Sequence, residues 1–468
     1  MNTKDVQTEV SEEYTPKPRM PNKLWTVGTL SYTTGGLTTL FAWLLWGDLT
    51  WSVRDRIIPL VMQILFKKYG ASDTLAGLLI SSVPLAIGLF VCPIIGYMSD
   101  RHRGRWGRRI PYLFYSTPVI VISILGLAFS PQIGMSANKL IGHSLDLNLF
   151  ILFFIGLFWL LFEFACGIAN MIFGGLVNDV VPPTVVGRFF GLFRAISLIV
   201  GIIFNFWMFG SAETYYIWIF IGIGVLYGAG FSMMCLKVKE GRYPPTSPLS
   251  QGGLIKQFLS ATKIYLKESY GHSYYLYYFA ATILVGLATI PVSIYTIFYA
   301  ISINMSMATY GRCYSLSFAI SLCLAYPLGA LVDRFHPLRM TIVALGLYMG
   351  AMLWGGLYAK DVSTYAIALS LHCIFAGTLI TVFASLPQRL LPRDKFAQIG
   401  TAGGIAGSLI GIIFAPGLGL FLDYTHHIYR YTFYIGFVVT AMAFLMNLIL
   451  YQKFKSFGGP ANYVAPCN

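Results

Sequence analysis

Asp48, Arg54, Asp55 and Arg56 lie inside TTLFAWLLWGDLTWSVRDRIIPLVMQILF, residues 38–66, an otherwise largely apolar run. Charge inside such a run is costly in a bilayer, so these side chains are expected to border a solvent-filled pathway rather than lipid. Residues three or four apart share a helix face, which places Asp48, Ser52 and Asp55 on one polar stripe with Arg54 and Arg56 flanking it. Pro59 continues the stripe and loosens the backbone beside it.

A second chemical centre is expected at Glu163, which shares a helix face with Gly167, Asn170, Gly174 and Asn178. Burial favours the protonated acid and a nearby arginine favours the carboxylate, so a side chain whose surroundings alternate can carry a proton. The other reading is a permanent salt bridge from Arg54 or Arg56 to Glu163 that only holds two helices together. Tyr274 and Tyr278 share a face near the start of a later run, where they either belong to an interfacial belt or stack on a planar ligand face. His372, deep in another run, is read either as a proton carrier or ligand donor, or as a histidine satisfied by hydrogen bonds.

The elements that must position these groups are long helices. Hydrophobic residues make up 56% of the 468 and charged residues 11%, a balance that excludes an ordinary soluble domain. Apolar runs at 37–67, 74–98, 110–130, 148–178, 189–210, 215–236, 273–299, 308–331, 340–359, 363–387, 396–420 and 430–452 each suit a hydrocarbon core about 30 Å thick. The expected architecture is therefore an all-α membrane protein with twelve transmembrane helices in two six-helix bundles. The domains follow: a disordered cytoplasmic tail at 1–23, a first bundle at 24–236, a cytoplasmic linker at 237–272, a second bundle at 273–452 and a cytoplasmic tail at 453–468. Residues 252–268 suit a short amphipathic helix at the inner surface, and LWTVGTLSYTTGG before the first run either begins the first membrane helix or lies along the interface.

The net charge of +14 is explained by placement, with Arg101, Arg103, Arg105, Arg108 and Arg109 crowded into one loop and further lysines and arginines in the central linker. The positive-inside rule puts those loops in the cytoplasm of a multi-pass plasma-membrane protein and makes a nucleic-acid partner unnecessary. The seven cysteines show no metal-ligand spacing, and no metal or cofactor is expected.

GYMSDRHRGRWGRR (96–109) follows the second run and GALVDRFHPLRM (329–340) the eighth, so one small-x-x-x-Asp-Arg phrase recurs at corresponding places in both halves. Gly96, Asp100, Arg101, Gly104, Arg105 and Arg108 resemble the signature loop of the major facilitator superfamily, and the likeness runs from about residue 37 to 452. That resemblance implies the major facilitator fold, a cytoplasmic gate at Asp100, Arg101, Arg105 and Arg108, and a weaker copy at Asp333 and Arg334, where His336 and Pro337 replace the glycine-basic part. Physically, Asp100 can hold a basic side chain and face a neighbouring helix terminus. The alternative is that both loops only fix topology.

NDVVPPTVVGRFFGLFR (178–194), with Asp179 and Arg188 as further gate candidates, and RGRWGRRIPY (103–112) resemble the glycoside-pentoside-hexuronide cation symporters and the related sucrose-proton symporters. The second run has no acid, unlike the paired aspartates of melibiose-type sodium symporters. The superfamily resemblance implies that the first, fourth, seventh and tenth helices surround the central cavity, which would bring the polar stripe and Glu163 together. The expected function is secondary active transport by alternating access, coupling a small polar solute to a proton, with sodium a second option. A sugar, glycoside or uronic acid is favoured, and another organic anion or a nucleoside stays open. No HExxH or GxSxG enzyme motif appears, and no ATP-binding motif either. A monomer is expected, and a channel or a non-transporting receptor remains the alternative class.

Overall fold

The computed structural model describes residues 24–141, 146–243, 269–392 and 395–466. The expected tail at 1–23, the amphipathic helix at 252–268 and most of the linker lie outside the described residues, as does the side chain of Arg188. The first half holds α1 (Thr34–Lys68), α2 (Asp73–Arg101), α3 (Ile110–Leu140), α4 (Leu147–Val180), α5 (Val186–Ile203) and α6 (Ala212–Lys237). The second holds α7 (Ser273–Ser302), α8 (Met307–Phe335), α9 (Pro337–Tyr358), α10 (Val362–Phe383), α11 (Phe396–Tyr424) and α12 (Tyr431–Ser456). The runs read from the sequence are lengthened by several residues at many ends, because helices continue past the apolar segment into the interface.

Ten stretches among the described residues are long and apolar enough to cross a membrane. One of them, Phe189–Lys237, is 49 residues long and contains α5 and α6. These two run in opposite directions along α1: Phe189 packs at 5.0 Å on Phe41 and Ser197 bonds Arg56, whereas Gly230 faces Thr50 and Glu213 pairs with Lys68 at 3.0 Å. The stretch therefore crosses twice. α1 is absent from the ten because four ionisable residues interrupt it, yet its 35 residues reach about 52 Å. Twelve crossing helices result among the described residues.

Helix association in lipid depends on close packing rather than on hydrophobic burial, and the chain supplies small residues for it. Gly126 of α3 lies so close to the Phe158 ring of α4 that a Cβ there would overlap it. Trp51 of α1 stacks on Phe173 of α4 at 5.7 Å, fixing the face that α1 turns to its own bundle. Polar starts are capped locally: Ser72 accepts from the Leu75 N–H at α2, and Asp361 forms a capping box with Thr364 at α10.

One expectation at the ends is corrected. Trp25–Val27 and Leu30–Tyr32 form an antiparallel hairpin, so residues 25–32 do not begin α1, which starts at Thr34; Gly28 supplies the positive φ of 54° the hairpin turn needs. At the other end, the described part of the segment expected as a tail at 453–468 packs on the second half. α12 runs to Ser456, Tyr463 bonds Tyr274 and the Leu390 carbonyl, and Tyr275 donates to the Pro466 carbonyl at 2.6 Å.

The halves meet at the end remote from the basic loops. There the start of α2 lies on the end of α11, and the π turn that extends α5, Phe204–Met208, lies on the start of α8. Ser82 donates to the Ile412 carbonyl at 2.7 Å and Ser315 to the Ile202 carbonyl at 3.1 Å.

Candidate functional site

A cavity of about 490 Å³ opens midway along the first bundle between α1, α2 and α4. Arg54, Asp55, Glu163, Asn170 and the small residues Gly88, Gly167 and Gly174 line it. The glycines keep side-chain volume out of the space, and α4 delivers Glu163 and Asn170 two turns apart on one face. Pro59 has no N–H for the carbonyl four residues earlier, so the Asp55 backbone loses its usual helical donor where its side chain meets the cavity.

The expected polar stripe on α1 is divided. Asp55 is 58% exposed toward the cavity, whereas Asp48 and Ser52 are buried and Asp48 keeps one carboxylate oxygen without a partner. Arg54 points into the bundle rather than to its flank: it is 2% exposed and its guanidinium lies 3.9 Å over the Trp51 ring. Its Nη1 donates to the Cys166 sulfur at 2.9 Å, its Nη2 sits 3.8 Å from Asp55, and its Nε has no partner. No ion pair within 4 Å joins Arg54 or Arg56 to Glu163 among the described residues, so the permanent bridge envisaged from the sequence is not formed. Arg56 instead donates to Ser197 of α5 at 2.8 Å and faces the Phe318 ring of α8 at 5.4 Å, across the seam between the halves. Arg194, unmarked in the sequence reading, crosses that seam too, donating to Thr381 at 2.9 Å.

The three candidates on the second half, Tyr274, Tyr278 and His372, are not at this cavity. Tyr274 and Tyr278 are 1% and 5% exposed within a core that includes Tyr275, Phe279, Leu390 and Phe454, so their rings are neither an interfacial belt nor open to a solute. The docked C-terminal segment covers Tyr274 with Phe457 and Tyr463, which a helical-face argument on α7 alone could not reveal. His372 is 2% exposed and both ring nitrogens are engaged, Nε2 with Ser293 at 3.2 Å and Nδ1 with Tyr348 at 2.8 Å. Of its two readings, the satisfied histidine matches this geometry.

At the basic end, Arg108 grips Asp179 with two hydrogen bonds of 3.0 and 2.6 Å, and Arg109 reaches Asp179 at 3.3 Å and Asp100 at 2.5 Å. The Asp179 hydrogen bonds push the Arg108 pKa further up, so the guanidinium stays charged. Asp100, in the last turn of α2, holds basic side chains as expected, but it does not cap the neighbouring helix start. That role belongs to Glu240, whose carboxylate accepts the N–H groups of Arg108, Arg109 and Ile110 at 2.7–2.9 Å and so caps α3. Arg105 is exposed beside this network. In the second copy Asp333 meets Arg389 at 3.5 Å with both side chains mostly exposed, and Arg334 lies against Phe335.

Arg108→Gln is expected to lower the melting temperature, because it leaves Asp179, 15% exposed, facing Arg109 alone. Losing a charged bidentate partner costs about 1–3 kcal/mol at such partial burial, and Arg108→Lys should recover only part of it. An unchanged melting curve would sink this assignment.

At the opposite end the sequence reading missed a latch across the halves. Asp73, fully buried at the start of α2, accepts from Tyr429 at 2.9 Å and meets His427 Nδ1 at 2.7 Å. Asp423, from the end of α11, accepts the N–H groups of Asp73 and Thr74 and the Thr74 hydroxyl at 2.6 Å. Lys67 donates to Tyr429 at 2.8 Å, and Tyr295 to the Asp73 carbonyl at 2.9 Å. The local sign of a capped helix start at Ser72-Asp73 is visible in the sequence; its pairing with positions about 350 residues away is not.

Two six-helix halves latched at one end, with a polar mid-span cavity in the first half, define a multi-pass membrane protein of the carrier class. The Major Facilitator Superfamily model matches residues 40–409 and 278–458, and the chain belongs to that family. Its structure is similar to a bacterial homolog of the human lysosomal transporter Spinster, inward-facing and unoccupied, with 13% identity over 93% of this chain and 100% of that one at a TM-score of 0.63. It is also similar to a D-xylose-proton symporter, with 15% identity over 89% of this chain and 96% of that one at 0.58. A point mutant of the nucleoside transporter NupG gives 9% identity over 88% of this chain and 100% of that one at 0.61.

Proposed function

We propose that the chain is a proton-coupled symporter of a sugar, glycoside or uronic acid, working by alternating access in the plasma membrane with both termini cytoplasmic. The observation that carries this reading is the convergence of Glu163, Asp55, Arg54 and Asn170 on one mid-span cavity. Glu163 takes and releases the proton, Arg54 lines the same space, and Asp55 and Asn170 hydrogen-bond the solute. With the basic loops inside, the latch at Asp73 seals the outer face, which makes this state inward-facing. The resemblance of residues 103–112 and 178–194 to the glycoside-pentoside-hexuronide and sucrose-proton symporters supports the solute class, and the D-xylose-proton symporter among the similar folds is consistent with it. A gate role for Asp100, Arg101, Arg105, Arg108, Asp179, Arg188, Asp333 and Arg334 belongs to the same reading, as do a monomeric carrier and a proton rather than sodium as coupling ion.

A second reading, transport of another organic anion, is favoured by Arg56 and Arg194, which both reach the seam between the halves. A uronic acid satisfies both readings. The test is uptake into proteoliposomes under an inward pH gradient, with sugars, uronic acids, nucleosides and organic anions offered in turn. Saturable uphill uptake of a sugar or uronate that a protonophore collapses is the expected result. Sodium-driven uptake indifferent to the pH gradient would overturn proton coupling, non-saturating flux would indicate a channel, and binding without flux a receptor.

A further inference from the structure

We propose that a pocket on the basic-loop face of the first half binds the phosphate headgroup of an anionic phospholipid from the adjoining leaflet. The pocket, about 690 Å³, lies between the loop that follows α2 and the segment that follows α6. Arg103, Arg105 and Trp106 form one wall, and Lys239, Arg242 and Tyr243 the other. Its size is that of an ordinary small-molecule site, about 300–1,000 Å³.

Charge decides what enters. Glu240 is the acid in the lining, and its carboxylate is already engaged by three backbone N–H groups at the start of α3 and by the Tyr243 hydroxyl at 3.1 Å. Its negative charge is offset by that helix N-terminus rather than presented to the pocket. Burial, with Glu240 and Asp179 nearby, pushes the Tyr243 phenol well above its ordinary pKa, so it remains a neutral donor. Arg103 bonds the carbonyls of Asp100 and His102 and lies 5.6 Å from the Tyr243 ring, which ties this wall of the pocket to the other. The side chains of Arg105, Lys239 and Arg242 are exposed around the opening. An anionic phosphate matches this surround, and a cationic or neutral headgroup does not.

Topology alone asks for basic residues in this loop, but not for a concavity with an apolar flank. Leu236, in the last turn of α6, is 61% exposed, and Trp106 on the opposite wall is 50% exposed. Apolar surface beside a ring of cations at the end of a membrane helix suits a molecule whose phosphate and acyl chain leave in different directions. The N-terminal hairpin closes the pocket's edge, with Thr29 accepting the Arg242 N–H at 2.8 Å. A bound phosphate would join the loop holding Arg108 to the segment holding Glu240, and so brace the same network that carries Asp179.

The experiment uses the full chain in nanodiscs of phosphatidylcholine, alone or mixed with phosphatidylglycerol. Native mass spectrometry reads retained lipid and thermal unfolding reads stability. The expected result is selective retention of phosphatidylglycerol with a raised melting temperature, and retention reduced about 100-fold in Arg105→Gln/Lys239→Gln/Arg242→Gln, at about a kcal/mol for each charge. Lys453→Gln/Lys455→Gln, which removes basic residues from the last turn of α12, should retain the lipid normally. Equal loss in both variants would make the effect diffuse surface charge and overturn the proposal. Stabilisation reproduced in pure phosphatidylcholine by inorganic phosphate or glycerol 3-phosphate would assign the pocket to a soluble phosphate and overturn the lipid. Should the triple variant fail to fold, Trp106→Ala is the second probe, and undiminished retention there would equally count against it.

Discussion

Glu163→Gln is expected to abolish accumulation driven by a pH gradient while leaving solute exchange at equal pH intact. A gradient of one pH unit stores about 1.4 kcal/mol, enough for about tenfold accumulation in a one-to-one symport. The glutamine keeps the size and much of the hydrogen bonding of the protonated acid, so the carrier can still cross between states. It cannot release a proton, so the tenfold gradient should collapse to about one. The structure makes Glu163 the better candidate over Asp55. Glu163 is half-buried on α4, with Arg54 lining the same space, whereas Asp55 is 58% exposed and close to Arg54 at 3.8 Å. Asp55→Asn should therefore weaken solute affinity and spare the coupling. The measurement is uphill uptake set against counterflow in the same proteoliposomes. Uphill accumulation retained by Glu163→Gln would remove this carboxylate from the coupling step, and loss of coupling in Asp55→Asn alone would transfer the role.

What the sequence could convey follows the range of the interactions involved. Helix periodicity and apolar run length are local, so the twelve crossings and the face shared by Glu163 and Asn170 were legible. The repeated Asp-Arg phrase was legible for the same reason, since both copies are contiguous in the chain. The direction of Arg54 was not, because Trp51 and Cys166, one helix turn away and on another helix, together decide where the guanidinium lies. The face shared by Tyr274 and Tyr278 on α7 left an interfacial belt and a ligand face both open; the segment around Tyr463 that covers Tyr274 arrives from the far end of the chain. Asp73 shows the limit most clearly. In the sequence it is a single acid at a helix start, and only the packing of α2 on α11 makes it the centre of a contact between halves.

Breaking that contact should shift the carrier toward opening at the Asp73 end. Asp73→Ala removes the acceptor for Tyr429 and His427 together, while Asp423 keeps its bonds to the start of α2. Each buried hydrogen bond to a charged group is worth about 1.5–3 kcal/mol, and the 48% exposure of His427 places its share below that range. A net loss of about 1.4 kcal/mol from the latched state already changes the ratio of the two states tenfold. Gly419→Leu tests the same contact by shape instead of charge, since a Cβ at Gly419 would run into the Asp73 backbone and α2 would have to move away from α11. Spin labels at Leu140 on the first half and Tyr358 on the second, both exposed, report the separation by double electron–electron resonance. Both variants are expected to move the distribution to longer distances, and by the same structural route. If Gly419→Leu opens this end and Asp73→Ala does not, the polar groups are incidental to closure and the close backbone packing alone holds the halves together. If neither moves the distribution, the Asp73 cluster is not the element that seals this face.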